Sequence, residues 1–265
     1  MRGVLSGMAM LALVGCGAAD LEVSEEAESD TLFSNESTVI VGSVNWKSTT
    51  LLTSTSAEAK NARAVGYLSI PAKGTRCTAW LIADDKIVTN HHCISTAAQA
   101  VGAKVSFNYV DGVSSSARTW YDCSKFIRAW SDVDGAVLQC APRNGVLPGA
   151  VYGKIALATS NVSTGAGVYV IHQNCDYYSA SCAPTKKYSP GAVTSSSMFS
   201  RDIQYNADTL GGSSGSAVFA TTGTQAHKLV ALHHLGYNGD ANGRGTANGG
   251  MKVTHLKTRL AEVGL

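Results

Sequence analysis

The stretch CTAWLIADDKIVTNHHC, residues 77–93, sets two apolar runs between a pair of cysteines and closes on two histidines. Thr78–Ile82 and Lys86–Thr89 read as short strands with an Asp-containing turn between them. A disulfide between Cys77 and Cys93 would pin the turn bearing His92 to the strand before it. An imidazole held in that way keeps its position, as a base must if it is to stay within hydrogen-bond reach of a nucleophile. His91 competes with His92 for that part.

The same pattern continues outward. Val65–Ile70, Lys104–Val110, Ala136–Cys140, Gly167–His172, Ala217–Ala220 and Lys228–His233 are further β-like runs, separated by Gly, Asn, Asp and Ser clusters. Many short strands with turn signals make an all-β sandwich or barrel. Helical periodicity is found only at the end, where Val253, Leu256, Leu260 and Val263 recur at steps of three and four. The expected fold is all-β, with a C-terminal helix.

Composition sets the outer bounds. The chain has 265 residues, 45% hydrophobic and 15% charged, enough apolar surface for a sizeable core and incompatible with a wholly disordered protein. With 5 Pro and 27 Gly in no triplet period it is not collagen-like. There is no internal repeat and no apolar run of the length that spans a bilayer.

Charge is unevenly placed. Between Gly3 and Trp46 there is no Lys or Arg but there are seven acids, whereas from Lys47 onward 20 basic residues face 12 acidic ones, a net charge of +8. An acidic, Ser-rich, aromatic-poor segment reads as a solvated tether. Ahead of it, Arg2, the apolar Met8–Val14 and the small Gly15 make a secretory signal over residues 1–15. The run Leu13-Val14-Gly15-Cys16 resembles a bacterial lipobox. That resemblance implies a diacylated Cys16, holding the exported chain on the extracytoplasmic side of a membrane. Residues 16–60 are then tether and a candidate pro-segment or lead-in, and 61–265 the folded domain.

With Cys16 set aside, six cysteines remain, and six allow 15 pairings. Chain order pairs them locally, as Cys77–Cys93, Cys123–Cys140 and Cys175–Cys182, in keeping with passage through an oxidising compartment. Metal binding is the alternative use of these residues. No C-x-x-C pair and no H-E-x-x-H motif is present, so neither a metal nor a cofactor is expected.

Two further pieces carry chemistry. In Gly211-Gly212-Ser213-Ser214-Gly215-Ser216, a serine between glycines ahead of a strand can present its hydroxyl on a tight turn. The N–H groups of Gly212 and Ser214 can converge there as an oxyanion hole. In Asp132-Val133-Asp134-Gly135-Ala136-Val137-Leu138, an Asp leading into an apolar strand can lie buried beside a histidine and orient it.

Together T-N-H-H-C (89–93), D-G-A-V-L (134–138) and G-S-S-G-S-A (212–217), in the order His, Asp, Ser, resemble the chymotrypsin-fold serine peptidases. The T-N-H-H motif and the G-x-S-G-S ending are closer to the bacterial glutamyl endopeptidase group than to animal trypsins. Lys186-Lys187-Tyr188-Ser189-Pro190-Gly191 resembles one of that group's loops. The resemblance covers about residues 38–265. It implies two six-stranded antiparallel β-barrels, about 61–150 and 151–265. It implies an endopeptidase acting through an acyl-enzyme, with Ser214 as nucleophile, His92 as general base and then acid, and Asp134 orienting His92. It favours His92 over His91 by its place directly before Cys93, and Asp134 over Asp132 by the apolar continuation.

The chain departs from the family at Ser213, where animal trypsins have Asp, and at Ala217, where Pro is usual. Ile40-Val41-Gly42 looks like a trypsin activation terminus, but the Asp that would pair with its amine is missing. The resemblance places Thr209 and His233 in the specificity pocket. A hydroxyl and an imidazole can hydrogen-bond a carboxylate without a buried fixed charge, which favours cleavage after Glu or Asp. Asp208 is the opposing feature, because a carboxylate aimed into that pocket would select Lys or Arg. Expected partners are protein or peptide substrates and, through Cys16, a membrane. No nucleic-acid partner is expected, because the basic residues are scattered rather than striped, and the chain is expected to be a monomer. The other reading of the whole is a catalytically inactive trypsin-like surface lipoprotein that binds rather than cuts.

Overall fold

The structure, a computed structural model, describes residues 38–265 other than 180, 198 and 199. The signal peptide, the lipobox with Cys16 and the acidic stretch through residue 37 lie outside the described residues. Among those described, fourteen strands form two antiparallel sheets of seven. The short β1 (Lys47–Ser48) pairs at the edge of the second sheet. The first sheet contains β2 (Val65–Ile70), β3 (Thr75–Leu81), β4 (Lys86–Thr89), β5 (Lys104–Ser106), β6 (Tyr121–Asp122), β7 (Lys125–Trp130) and β8 (Gly135–Gln139). Its order is β6-β5-β2-β3-β4-β8-β7.

The second sheet continues with β9 (Gly167–Gln173), β10 (Lys186–Ser195), β11 (Asp202–Tyr205), β12 (Ala217–Ala220), β13 (Leu229–Tyr237) and β14 (Ala247–Lys252). Pairing of β9 with β10 closes these six into a barrel. The first sheet is seven-stranded and stays open, so the expectation of two six-stranded barrels holds in full only for the second. The ends of β6 and β8 are joined by the Cys123–Cys140 disulfide and by Ala141 N–H donating to the Asp122 carbonyl (2.7 Å). The remaining disulfides are Cys77–Cys93 and Cys175–Cys182.

Strands at the centre of each sheet are apolar along both faces, as a doubly covered strand must be. Cys77–Leu81 and all of β12 are buried. Six strands escaped the sequence pattern: β1, β6, β7, β10, β11 and β14. The last, Ala-Asn-Gly-Gly-Met-Lys, is wholly buried although its composition reads as a loop. Its place is set by β11 and β13 on either side. The run expected over Lys104–Val110 ends at Ser106.

Three helices cover the sheets: α1 (Ala57–Arg63), α2 (Pro148–Tyr152) and α3 (Val253–Ala261). The Ser56 side chain caps α1 by accepting from Ala59 N–H (3.1 Å), a standard way of satisfying a first-turn donor. Part of the expected lead-in belongs to the folded body. Val39 and Ile40 are fully buried, and Ile40 N–H donates to the Gly243 carbonyl (2.8 Å).

Two features tie the sheets to each other. Lys186 Nζ, at the start of β10, donates to the Ala62 (2.6 Å) and Phe107 (2.7 Å) carbonyls, and burial lowers its pKa to about 7. Helix α3 buries Val253, Leu256 and Leu260, and Leu256 with Leu232 packs over Gly135 at the start of β8. The fourth residue of the apolar stripe, Val263, falls in the turn after the helix and is half-buried. Leu256→Ala is therefore expected to cost about 3 kcal/mol, and Val263→Ala less than half of that. Urea unfolding of the two variants measures the difference, and equal losses would contradict this packing.

Candidate active site

A single turn of 3-10 helix, Ser131–Val133, delivers Asp134 to the start of β8 in the left-handed region (φ 42°). Asp is among the few residues besides Gly that tolerate this conformation. The turn buries the carboxylate, which is 2% exposed. His92 N–H donates to Oδ1 (2.9 Å), and His92 Nδ1 lies 2.8 Å from Oδ2. Asn90 Nδ2 donates to the Asp134 carbonyl (2.9 Å). Asp132, the competing acid, lies on the surface against Arg259 (2.8 Å).

The second sheet adds His234. Its Nδ1 is 3.4 Å from Asp134 Oδ2, an ion-pair distance, and its Nε2 is 2.9 Å from Asp202 Oδ2. Burial alone would push the Asp134 carboxyl up. The contacts from His234 and His92 outweigh that and hold it well below the usual carboxylate range. Burial likewise opposes charge on His234, but Asp134 and Asp202 raise its pKa to about 10.

Ser214 sits on the Gly211–Gly215 turn, and Thr78 of β3 binds that turn to the first sheet. Thr78 N–H donates to the Ser214 carbonyl (2.8 Å) and the Thr78 hydroxyl to the Gly212 carbonyl (2.8 Å). Thr89, three residues before His92, donates through its hydroxyl to the Thr78 carbonyl (2.9 Å). Gly215 lies at φ 84°, and a Cβ there would overlap the Thr78 carbonyl and Thr89 Oγ1. Only glycine admits that approach.

Within the turn, Ser213 N–H donates to the Leu210 carbonyl (2.9 Å) and Gly215 N–H to the His233 carbonyl (3.0 Å). Gly212 N–H and Ser214 N–H have no protein acceptor among the described residues. Ser213 is buried, and its hydroxyl pairs with His172 Nδ1 (2.9 Å). Burial and the nearby Lys187 lower the His172 pKa to about 3, so its ring is neutral. Arg76 Nη2 donates to the Gly211 carbonyl (3.1 Å) and to Cys175 Sγ (2.9 Å), beside Gly212.

The residues expected to line the specificity pocket divide. Asp208 is turned away: its carboxylate accepts from Val41 N–H (2.8 Å) and Asn45 N–H (2.8 Å). Thr209 donates its hydroxyl to Asn248 Oδ1 (2.7 Å), and Asn248 also accepts from Val39 N–H (3.1 Å). His233 is fully buried, with Nδ1 against Tyr205 OH (2.6 Å) and the Gly249 carbonyl (3.1 Å). Its Nε2 has no partner among the described residues. Burial drives its pKa down, so the ring is neutral. No group of three or more His, Cys, Asp or Glu among the described residues is placed to hold a metal ion.

Sequence reasoning left out Thr78, His172, Tyr205, Asn248 and Asp202. Nothing local distinguishes them; each is placed by partners far away in the chain. The one visible signal was the doublet His233-His234, because two consecutive strand residues should not both point inward.

Residues 77–231 match the trypsin-like peptidase domain family. The fold is similar to that of a solved Glu endopeptidase (TM-score 0.64, 23% identity, 85% of this chain and 98% of the other). It is also similar to that of Deg5 (TM-score 0.54, 17% identity, 89% of this chain and 94% of the other). A secreted RxLR effector protein of Plasmopara viticola is 33% identical over 174 residues, which is 60% of this chain and 41% of that longer protein.

The charges around Asp134 predict a pH window. With a depressed folded pKa, Asp134 adds stability above its ordinary 3.8, and that stability is lost as pH falls below it. With a raised one, His234 adds stability that is complete below its ordinary 6.5 and is lost as pH rises toward about 10. The stability gap between the chain and its Asp134→Asn variant should thus be widest between pH 4 and 6.5 and shrink on both sides. Urea midpoints across pH 3–10 test this, and a gap independent of pH would refute it.

Proposed function

This chain belongs to the trypsin-like peptidase family, and from that premise we propose that it is an exported serine endopeptidase with Ser214, His92 and Asp134 as its triad. The observation that carries the proposal is the double hold of the buried Asp134 carboxylate on His92, through the backbone N–H at 2.9 Å and Nδ1 at 2.8 Å. A ring held at Nδ1 keeps its proton there and leaves Nε2 as the base. The Ser214 hydroxyl attacks the scissile carbonyl and its proton passes to His92 Nε2. The oxyanion accepts from Gly212 and Ser214 N–H, neither of which has a protein acceptor among the described residues. His92 then gives its proton to the leaving amine, and water, activated by the same ring, hydrolyses the acyl-enzyme.

Cleavage after Glu, and secondarily Asp, is the reading of the pocket. The carboxylate of Asp208 is occupied by Val41 and Asn45, which removes the group that would select a basic side chain. His233 offers a buried Nε2 without a partner. In the tautomer in which Nδ1 accepts from Tyr205 OH, the ring proton is on Nε2 and can meet a substrate carboxylate. Thr209 has already given its hydroxyl proton to Asn248, so His233 carries most of the preference. A fold shared with a protein named Glu endopeptidase agrees with this reading.

Export is supported by three disulfides and by a relative named as secreted. A lipid anchor at Cys16, extracytoplasmic placement and a monomeric state belong to the same proposal; the anchor rests on the sequence of residues 13–16 alone.

Digestion of a mixed peptide library, read by mass spectrometry, tests the whole. Cuts clustered after Glu are expected, and Ser214→Ala should lower turnover about 10⁵- to 10⁶-fold with the fold intact. Cuts after Lys or Arg would overturn the pocket assignment. Activity that survives Ser214→Ala would overturn the triad.

A further inference from the structure

Strand β13 breaks its alternation at the active site. Its register against β14 runs His233 opposite Gly250 and then Leu235 opposite Gly249, so His234 is the extra residue of a β-bulge. A bulge re-aims a side chain that would otherwise point to the other face. Here it lets two consecutive residues face inward: His233 is 0% and His234 4% exposed. His233 turns to Tyr205 inside the closed barrel. His234 turns to the junction of the two sheets, where Asp134 Oδ2 lies 3.4 Å from Nδ1 and Asp202 Oδ2 2.9 Å from Nε2.

We propose that His234 is a positioning residue for the reaction, a buried cation that ties the triad carboxylate of Asp134 to Asp202 in one chain, Asp202–His234–Asp134–His92. The inference rests on the triad reading given above. A neutral hydrogen-bond donor at this place would only orient Asp134. A cation also offsets the second carboxylate, so that His92 faces a net single negative charge rather than two.

The groups that bear on His234 come from each neighbouring element. Asp134, with His92 behind it, comes from the first sheet. Asp202 lies on β11, and Tyr205 and Tyr237 lie within its field. The neutral His233 precedes it on β13. Two carboxylates and no other cation contact its ring among the described residues. Proximity of opposite charge on both sides favours the imidazolium despite burial.

Removing the cation exposes His92 to both carboxylates and makes it harder to deprotonate. His234→Gln should therefore move the acid limb of the kcat/KM profile upward by about one pH unit. Adding Asp202→Asn to that variant should bring the limb back toward its starting position, because it removes the uncompensated charge. A role in packing alone would scale the profile without moving it.

A second measurement does not depend on turnover. In the full disulfide-bonded chain, labelled at histidine nitrogens, His234 should stay protonated through pH 8, and it should lose its proton at lower pH in Asp202→Asn. A neutral His234 at pH 7, or a His234→Gln variant whose acid limb stays in place, overturns the proposal. A wild-type chain without turnover but with a protonated His234 overturns the peptidase reading instead, and with it any part for this bridge in a reaction.

Discussion

The structure around the candidate active site depends on one buried negative charge. A carboxylate at the depth of Asp134 is costly unless it is paired and hydrogen-bonded. Its partners come from two directions: His92 from the first sheet, through both backbone and ring, and His234 from the second. The charge thus couples the placement of the two sheets to the orientation of the His92 imidazole. It also accounts for the left-handed backbone at Asp134, which turns the carboxylate inward directly before β8 begins.

The serine turn is held by a different kind of contact. Thr78, fully buried, spends its N–H and its hydroxyl on the carbonyls of Ser214 and Gly212, and the same hydroxyl accepts from Gln173 N–H (3.1 Å). One side chain on β3 thereby serves the turn and β9 together. Since Cys77 next to it is bonded to Cys93, His92 and Ser214 are referenced to the same short piece of strand. This leaves the turn little freedom to shift relative to His92, as a preorganised site requires.

Much of this was legible in the chain. Strands β2, β4 and β12 were bounded correctly because their residues are compact β-formers between turn signals. The stripe of α3 was visible because helical periodicity is a local property. Other elements were not legible. Strand β14 is made of Asn, Gly and Lys among small apolar residues and becomes a buried strand only because β11 and β13 flank it. Residues 38–40 fell within the expected tether and lead-in because nothing nearby explains their burial; they are covered by residues more than 160 positions later.

The candidate reactive groups and their order along the chain can be read from local sequence, because a glycine-flanked serine, a cysteine-framed histidine and an Asp before an apolar strand each need only a few neighbours to be recognised. The direction in which polar side chains point does not follow from it. Asp208 was open to two opposite readings until Val41 and Asn45, 167 and 163 residues away, were seen to occupy its oxygens. His234 was one of two strand histidines until a bulge aimed it at Asp134. Local patterns encode backbone preference and burial, whereas the partner of a buried polar atom is set by whatever the fold brings to within 3 Å of it, here from as far as 209 residues along the chain.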